Sequence, residues 1–152
     1  MTYRGNDILR LIPQRHPFVM VDTLERCDND NNTAIATLAV RQDNYFIMPD
    51  GTLAETGLIE HIAQSCSALA GCIALDAQND STGQQTGQAA APPVGIIGEV
   101  KHFTCHRRPL ASEQLRTTVT FDMTFGNVTM ATGATTVGDE PIAEIKLKIF
   151  MQ

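Results

Sequence analysis

One acidic residue stands out because its surroundings are almost uniformly apolar. Between Gly57 and Leu75 the chain reads GLIEHIAQSCSALAGCIAL, and Glu60 is the only residue there with a fixed charge. A carboxylate in such a segment is costly unless it is paired, neutralised or used in a reaction. Glu60 is therefore the first candidate for catalysis or substrate contact, as a general acid or base. The alternative is a structural role for Glu60. Its negative charge could be stabilised by the helix dipole at the helix start, or it could pair with an arginine across a subunit interface.

Three further residues could belong to the same site. Gln64 lies one helical turn beyond Glu60 and could bind the acid or a ligand hydroxyl, with an ordinary hydrogen bond across the core as the alternative. His61 is the only histidine close to Glu60 in the sequence, yet it points about 100° away around a helix, which favours a core or interface histidine. Asp50 stands before Gly51, where a turn former is the simpler interpretation.

The apolar segment predicts one long buried helix, because its apolar residues recur at steps of three and four. Glu60, Gln64, Ser67 and Gly71 form a narrow polar-to-small stripe along that helix. A short helix beginning at Asn6 precedes it. Extended segments are predicted at residues 18–25, 34–40, 94–103, 115–125, 128–137 and 142–150.

These elements predict one α+β domain over residues 1–152, in which a curved antiparallel sheet wraps around the helix. A polar, small-residue stretch at 76–93 predicts a flexible connector within it. A single sheet has open edges, and pairing of edges between two copies makes a homodimer the default expectation, with a higher or hetero-oligomer as the alternative.

Composition excludes several classes of protein. The net charge of −6 and pI near 5.0 argue against nucleic-acid binding. The four cysteines show no CxxC spacing, which favours free thiols in a reducing compartment over a disulfide frame or a zinc site. Polar residues within the helix argue against a membrane span. We therefore expect a soluble cytoplasmic protein without a bound metal.

Three segments, in register along the chain, resemble the β-hydroxyacyl-acyl carrier protein dehydratases of the hotdog fold. Residues 11–22 (LIPQRHPFVMVD) are similar to that family's N-terminal signature. Residues 58–64 (LIEHIAQ) are similar to its central-helix pattern, and residues 106–115 (HRRPLASEQL) to its Arg-Pro turn. The run Asp50-Gly51-Thr52-Leu53 resembles a divergent branch, the dehydratase-like proteins of aryl-polyene and flexirubin-type pigment clusters.

The resemblance implies a site as well as a fold. In that family a loop histidine removes the α-proton of a 3-hydroxyacyl thioester, and a helix carboxylate, usually from the other subunit, assists loss of the hydroxyl. Glu60 matches the carboxylate, and Gly57 lies near the backbone N–H that holds the thioester carbonyl. The histidine has no counterpart, because residues 45–53 (YFIMPDGTL) contain none. Asp50 and His61 are therefore candidates beside Glu60 for the catalytic set, and Gly57, Gln64 and Phe46 for substrate binding.

The function implied is a hydro-lyase that acts on 3-hydroxyacyl thioesters, carried by acyl carrier protein or coenzyme A, in fatty acid or polyene biosynthesis. No cofactor is implied beyond the phosphopantetheine of the substrate. The basic run from Lys101 to Arg108 is a candidate contact for that group or for an acidic carrier protein. Two alternatives stay open: a thioesterase in which Glu60 activates water, and a non-catalytic acyl-binding subunit, which the missing histidine supports.

Overall fold

Seven strands and one long helix make up the described chain. The computed structural model describes residues 2–81 and 91–152, so residues 82–90 of the predicted connector lie outside the described residues. The elements, in chain order, are β1 (Tyr3–Arg4), a 3-10 helix (Gly5–Arg10), β2 (Thr23–Asp28), β3 (Thr33–Ala39), α1 (Glu55–Ser81), β4 (Gly95–Cys105), β5 (Gln114–Phe125), β6 (Val128–Val137) and β7 (Glu140–Met151). The strands form one sheet in the order β1-β2-β3-β5-β6-β7-β4, with every neighbouring pair antiparallel.

The helix packs on one face of this sheet and contacts β2 through β7. Along β5 the buried positions alternate (Leu115, Thr117 and Val119), as expected where one face of a sheet is covered. On the helix, Ile62 and Leu69 are fully buried against that face. The predicted α+β architecture, one long helix against an antiparallel sheet, is confirmed.

Two glycines allow α1 to approach its neighbours closely. A Cβ atom at Gly71 would overlap the backbone of Leu11, so the N-terminal segment crosses the helix where the helix has no side chain. A Cβ atom at Gly133 in β6 would lie 2.5 Å from the Cγ2 atom of Ile62. The helix is thus pressed between the N-terminal segment and the middle of the sheet.

The connector prediction was wrong for residues 76–81, which continue the helix to Ser81. These residues show no apolar periodicity because the last turns of α1 extend toward solvent, where a helix needs no apolar face. A polar contact joins this end of the helix to the sheet: the Asn29 side chain, after β2, donates a hydrogen bond to Asp76.

The strand predicted at residues 18–25 begins only at Thr23. Its first residues are apolar and β-prone, but side chains of α1 bind their backbone groups, as described below. The other strand predictions agree with the observed bounds to within a few residues, and β6 spans the predicted 128–137.

Length and hydropathy alone would allow α1 to cross a membrane. The candidate span Glu55–Asp80 has a mean hydropathy of 1.4, but 61% of its apolar window is buried inside the protein. A core helix has the same composition, and the sheet here covers the apolar face. All four cysteines are free thiols. Within residues 2–81 and 91–152, no group of three or more His, Cys, Asp or Glu residues could hold a metal ion.

Candidate active site

Glu60 lines a cavity of about 290 Å³ between α1 and the sheet. Two other α1 residues, Ala63 and Ser67, also line the cavity. They share a helix face with Glu60 because they lie three and seven residues further along the chain. The remaining lining residues come from the N-terminal segment, from α1, from the start of β4 and from β5 and β7: Gln14, Cys66, Gly95, Ile96, Ile97, Phe121, Ile149 and Met151. Glu60 is the one acidic or basic side chain among these described lining residues.

Gln64 fixes the orientation of the Glu60 carboxylate. Its amide Nε2 donates to Glu60 Oε1 at 2.7 Å and to the carbonyl oxygen of Phe18 at 2.8 Å. Its Oε1 accepts the backbone N–H of Met20 at 2.7 Å. Both amide hydrogens are therefore used inside the protein, and Gln64 is fully buried. Glu60 keeps its second oxygen, Oε2, without a hydrogen bond to any residue of the described chain.

His61 belongs to the core and not to the cavity. It is fully buried, with Nδ1 2.6 Å from the carbonyl oxygen of Met20 and Nε2 2.8 Å from the Thr117 hydroxyl. A carbonyl only accepts, so Nδ1 carries the hydrogen of the neutral ring and Nε2 accepts from Thr117. The Thr117 hydroxyl then accepts in turn from Thr135, 2.7 Å away.

Burial lowers the pKa of His61 from 6.5 to about 4, against a smaller opposing effect of its bond to Met20. The ring is therefore neutral at physiological pH and is sealed from substrate. The sequence favours a core or interface histidine, and His61 lies in the core of the chain. It does not line the cavity that Glu60 lines.

Asp50 is a turn residue on the surface. Its carboxylate accepts from the backbone N–H and the hydroxyl of Thr52, at 3.0 and 2.6 Å, and pairs with Arg108 at 2.9 Å. The Thr52 hydroxyl and backbone N–H, with Arg108 beside them, hold the pKa of Asp50 below its usual value. Gly51 follows with φ of 81°, as the turn requires. The structure does not bring Asp50 into the cavity with Glu60.

Gly57 and Phe46 lie together at the start of α1. A Cβ atom at Gly57 would be 2.7 Å from the Cβ atom of Phe46, so Phe46 rests directly on the glycine. The Gly57 N–H donates to the carbonyl oxygen of Ala54 at 2.9 Å. For Gly57 to hold a thioester carbonyl, as the resemblance implies, this N–H has to be shared with or released by the Ala54 carbonyl.

Sequence reasoning missed Gln14 and did not assign Ser67 a role. Both line the cavity, and both carry a buried atom, Gln14 Oε1 and Ser67 Oγ, without a hydrogen-bond partner in the described structure. Ser67 could have been found from the polar-to-small stripe of the helix, whereas no local pattern marks Gln14. Cys66 also lines the cavity, and burial raises the pKa of its thiol to about 12, so it is no thiolate nucleophile.

The basic run between β4 and β5 is largely compensated within the chain. Arg107 forms a bidentate salt bridge with Glu113, at 2.7 and 2.8 Å, and also donates a hydrogen bond to Glu140. Arg108 pairs with Asp50, and His106 lies 3.6 Å from Glu144. Most of these side chains therefore stabilise the turn. Of the basic run from Lys101 to Arg108, only the residues at its start, in β4, are left as a candidate docking contact for a partner.

Comparison with known proteins decides the family. A family model described as "ApeP-like: ApeP dehydratase" matches residues 6–152. The chain belongs to the ApeP-like dehydratase family. A search of the curated proteins found no match.

Solved structures agree with the fold of this ApeP-like chain. The dehydratase heterocomplex ApeI:P from Xenorhabdus doucetiae matches with a TM-score of 0.80 at 15% identity, covering 95% of this chain and 90% of that chain. A hypothetical thioesterase with coenzyme A from Streptococcus pneumoniae TIGR4 matches with a TM-score of 0.62 at 8% identity, covering 85% and 84%. The E. coli PaaI protein from the phenylacetic acid degradation operon matches with a TM-score of 0.60 at 10% identity, covering 84% and 80%. At these identities the likeness shows the fold alone, and it confirms the predicted hotdog fold.

Proposed function

We propose that this ApeP-like protein is the carboxylate-bearing subunit of a 3-hydroxyacyl thioester dehydratase. The observation that carries the proposal is the Glu60 carboxylate. Among the described residues it is the one charged group that lines the cavity, it is held at Oε1 by Gln64, and its Oε2 has no hydrogen-bond partner. The substrate is an acyl chain carried as a thioester by acyl carrier protein or coenzyme A. Membership of a dehydratase family supports this class of reaction.

Dehydration breaks two bonds of the substrate. A base takes the proton from C2, the C3–O bond breaks, and the electron pair of the C2–H bond forms the C2–C3 double bond. The hydroxyl leaves with a proton from Glu60, so the products are the enoyl thioester and water. Because Gln64 donates to Oε1, the proton that Glu60 gives up sits on Oε2.

The described residues of one chain supply no base for this reaction. Of the two residues proposed from sequence, His61 is sealed in the core and Asp50 lies on the surface in an ion pair with Arg108. Within the described residues, no second acidic or basic side chain lines the cavity with Glu60. We therefore assign the base to a neighbouring subunit. A related protein solved as a dehydratase heterocomplex supports an assembly of this kind.

Strand β4 is the edge along which we propose that the second subunit pairs. It lies at the end of the sheet and hydrogen-bonds to β7. Most of its residues are exposed, among them the large apolar Ile96 and Val100, at 49% and 40%. An exposed apolar edge favours pairing with another chain. The start of β4 also lines the cavity, so a neighbour paired here would stand beside Glu60.

We expect Val100→Asp to convert the assembled protein to monomers, because the charge would be buried in the paired edge. Size-exclusion chromatography with light scattering measures the mass. Leu110→Asp is the matched control, since Leu110 is also an exposed apolar residue, at 52% against 40% for Val100, but lies outside β4. This variant should keep the native mass. A Val100→Asp protein of unchanged mass would show that subunits pair elsewhere.

Product analysis tests the reaction itself. The purified assembly is incubated with a 3-hydroxyacyl thioester of acyl carrier protein, and the mass of the acyl group is measured by mass spectrometry. Loss of one water supports the proposal. Release of the free acid would instead show a thioesterase in which Glu60 activates water. An acyl group that stays bound and unaltered would show a non-catalytic acyl-binding subunit.

A further inference from the structure

Two of the four cysteines lie side by side, away from the Glu60 carboxylate. Cys27, in β2, packs against the buried core that includes Cys72 of α1. The Cys27 thiol is within hydrogen-bond reach of the Cys72 sulfur. Cys72 follows Glu60 by twelve residues, which is about 18 Å along the helix axis. The pair therefore has no part in the proposed dehydration, and its proximity calls for a separate account.

A second contact holds β2 and α1 together beside the two thiols. The Asn29 side chain donates a hydrogen bond to Asp76, and Asn29 Oδ1 lies 3.0 Å from the sulfur of Cys27. Asp76 is one helical turn beyond Cys72, on the same face of α1. The two sulfurs therefore sit on elements that the fold already joins at this point.

The pair combines access to solvent with a stabilised thiolate. Cys27 is half-buried and lines a surface cavity of about 350 Å³, whereas Cys72 is only 2% exposed. Hydrogen bonds from the Cys27 thiol and the Tyr3 hydroxyl lower the pKa of Cys72, against the opposing effect of burial. The pKa of Cys27 is raised in turn, first of all by its bond to Cys72. Two groups coupled in this way share a proton, so the negative charge can move from one sulfur to the other.

We propose that Cys27 and Cys72 are a site of reversible oxidation, at which hydrogen peroxide converts the two thiols to a disulfide between β2 and α1. The site is independent of the proposed function. Hydrogen peroxide is close in size to water and reaches the Cys27 sulfur through the surface cavity. Susceptibility of a cysteine to oxidation follows its thiolate character and its exposure, and these two properties are divided between the members of this pair.

The reaction takes two steps and one peroxide. The Cys27 thiolate attacks one peroxide oxygen, the O–O bond breaks, and hydroxide leaves, so that Cys27 becomes a sulfenic acid. The Cys72 thiolate then attacks the Cys27 sulfur, the S–S bond forms, and the S–O bond breaks with loss of a second hydroxide. The two protons given up by the thiols convert both hydroxides to water. The thiols lose two electrons in all, and the peroxide gains them.

The bridge would stabilise the folded chain. It closes the chain between positions 27 and 72, and a cross-link over a long segment restricts the unfolded state. We expect the oxidised protein to unfold at a urea concentration higher by about 1 M or more than the reduced protein. Dithiothreitol should reverse this shift, because it reduces the bridge by thiol–disulfide exchange.

Mass spectrometry of the purified assembly tests the site. The reduced protein is treated with hydrogen peroxide, and its intact mass is measured before and after addition of dithiothreitol. We expect each chain to lose about 2 Da, the mass of two hydrogen atoms, and to regain it on reduction. Peptide mapping of the oxidised protein should find Cys27 joined to Cys72, and its urea midpoint should show the shift given above.

Cys105→Ser is the matched control, because Cys105 is half-buried like Cys27 but lies in β4. This variant should still form the bridge, whereas Cys27→Ser and Cys72→Ser should each abolish it. The native protein decides the question even if a variant fails to fold. A native chain that keeps its mass, that takes up oxygen without forming a bridge, or whose bridge maps to another pair of cysteines would overturn the site.

Discussion

If Glu60 is the proton donor proposed above, we expect Glu60→Gln to lower the rate of dehydration by about 10²- to 10⁴-fold, the range expected when a positioned proton donor is removed. Glutamine has the shape of glutamate and can still accept the hydrogen bond from Gln64. The cavity should therefore keep its form, and KM should change little while kcat falls. The rate is measured as formation of the enoyl thioester from a 3-hydroxyacyl-acyl carrier protein.

Glu55→Gln is the control for this experiment. Glu55 lies in the first turn of the same helix but is exposed, and the substitution removes the same charge. It should turn over at the native rate. If Glu60→Gln keeps more than about a tenth of the native kcat, then Glu60 does not protonate the leaving hydroxyl.

Acid should destabilise the protein through His61. Burial lowers the pKa of His61 to about 4 in the folded chain from 6.5 in the unfolded chain. Between these values the unfolded state binds more protons, so stability falls as the pH falls. The loss is about 1.4 kcal/mol for each pH unit and roughly 3 kcal/mol in all by pH 4. Above pH 6.5 this contribution does not change.

Urea unfolding at several pH values between 7 and 4 measures the loss. Carboxylates such as Asp50, whose pKa is held low by its hydrogen bonds to Thr52, also cost stability in acid, so the native protein must be compared with His61→Gln. That variant should be less stable at pH 7, because it disturbs the bonds to Met20 and Thr117, but should lose less stability on acidification. His102→Gln, at an exposed position of β4, should behave like the native protein. Equal acid sensitivity in the His61 variant would mean that the imidazole is not held neutral.

Much of the fold could be predicted because local patterns carry it. The apolar repeat of three and four residues marks the buried helix, and alternation marks the strands of the C-terminal half, with β6 found at its observed bounds. Glu60 could be found for the same reason: a charge is conspicuous in an apolar helix. The prediction of a site at Glu60 needed no knowledge of tertiary contacts.

Tertiary contacts explain what the sequence concealed. Residues 18–22 are apolar enough for a strand, yet the backbone of Phe18 and Met20 is bonded by Gln64 and His61, more than forty positions further along the chain. No local pattern predicts such bonds. Gln14 was missed for the same reason, since its place in the cavity depends on how the N-terminal segment crosses α1 at Gly71.

The three polar residues of the helix segment 58–64 (LIEHIAQ) have different roles in the structure. Glu60, His61 and Gln64 are close in sequence, but only Glu60 lines the cavity. His61 and Gln64 together anchor the segment from Phe18 to Met20 on the helix, and Gln64 orients Glu60 as well. Of the other two residues, Gln64 therefore contacts Glu60 directly, whereas the His61 side chain contacts Met20 and Thr117.

The most direct test of the role of Glu60 is a structure of the assembled protein with a 3-hydroxyacyl pantetheine amide, an analogue that binds but cannot complete the reaction. The carboxylate at the cavity predicts the 3-hydroxyl within about 2.6–3.2 Å of Glu60 Oε2, the reach of general acid catalysis, with a basic side chain of the neighbouring subunit facing C2. An acyl chain bound away from Glu60, or a Glu60 carboxylate paired with an arginine of the neighbouring subunit, would contradict the catalytic assignment.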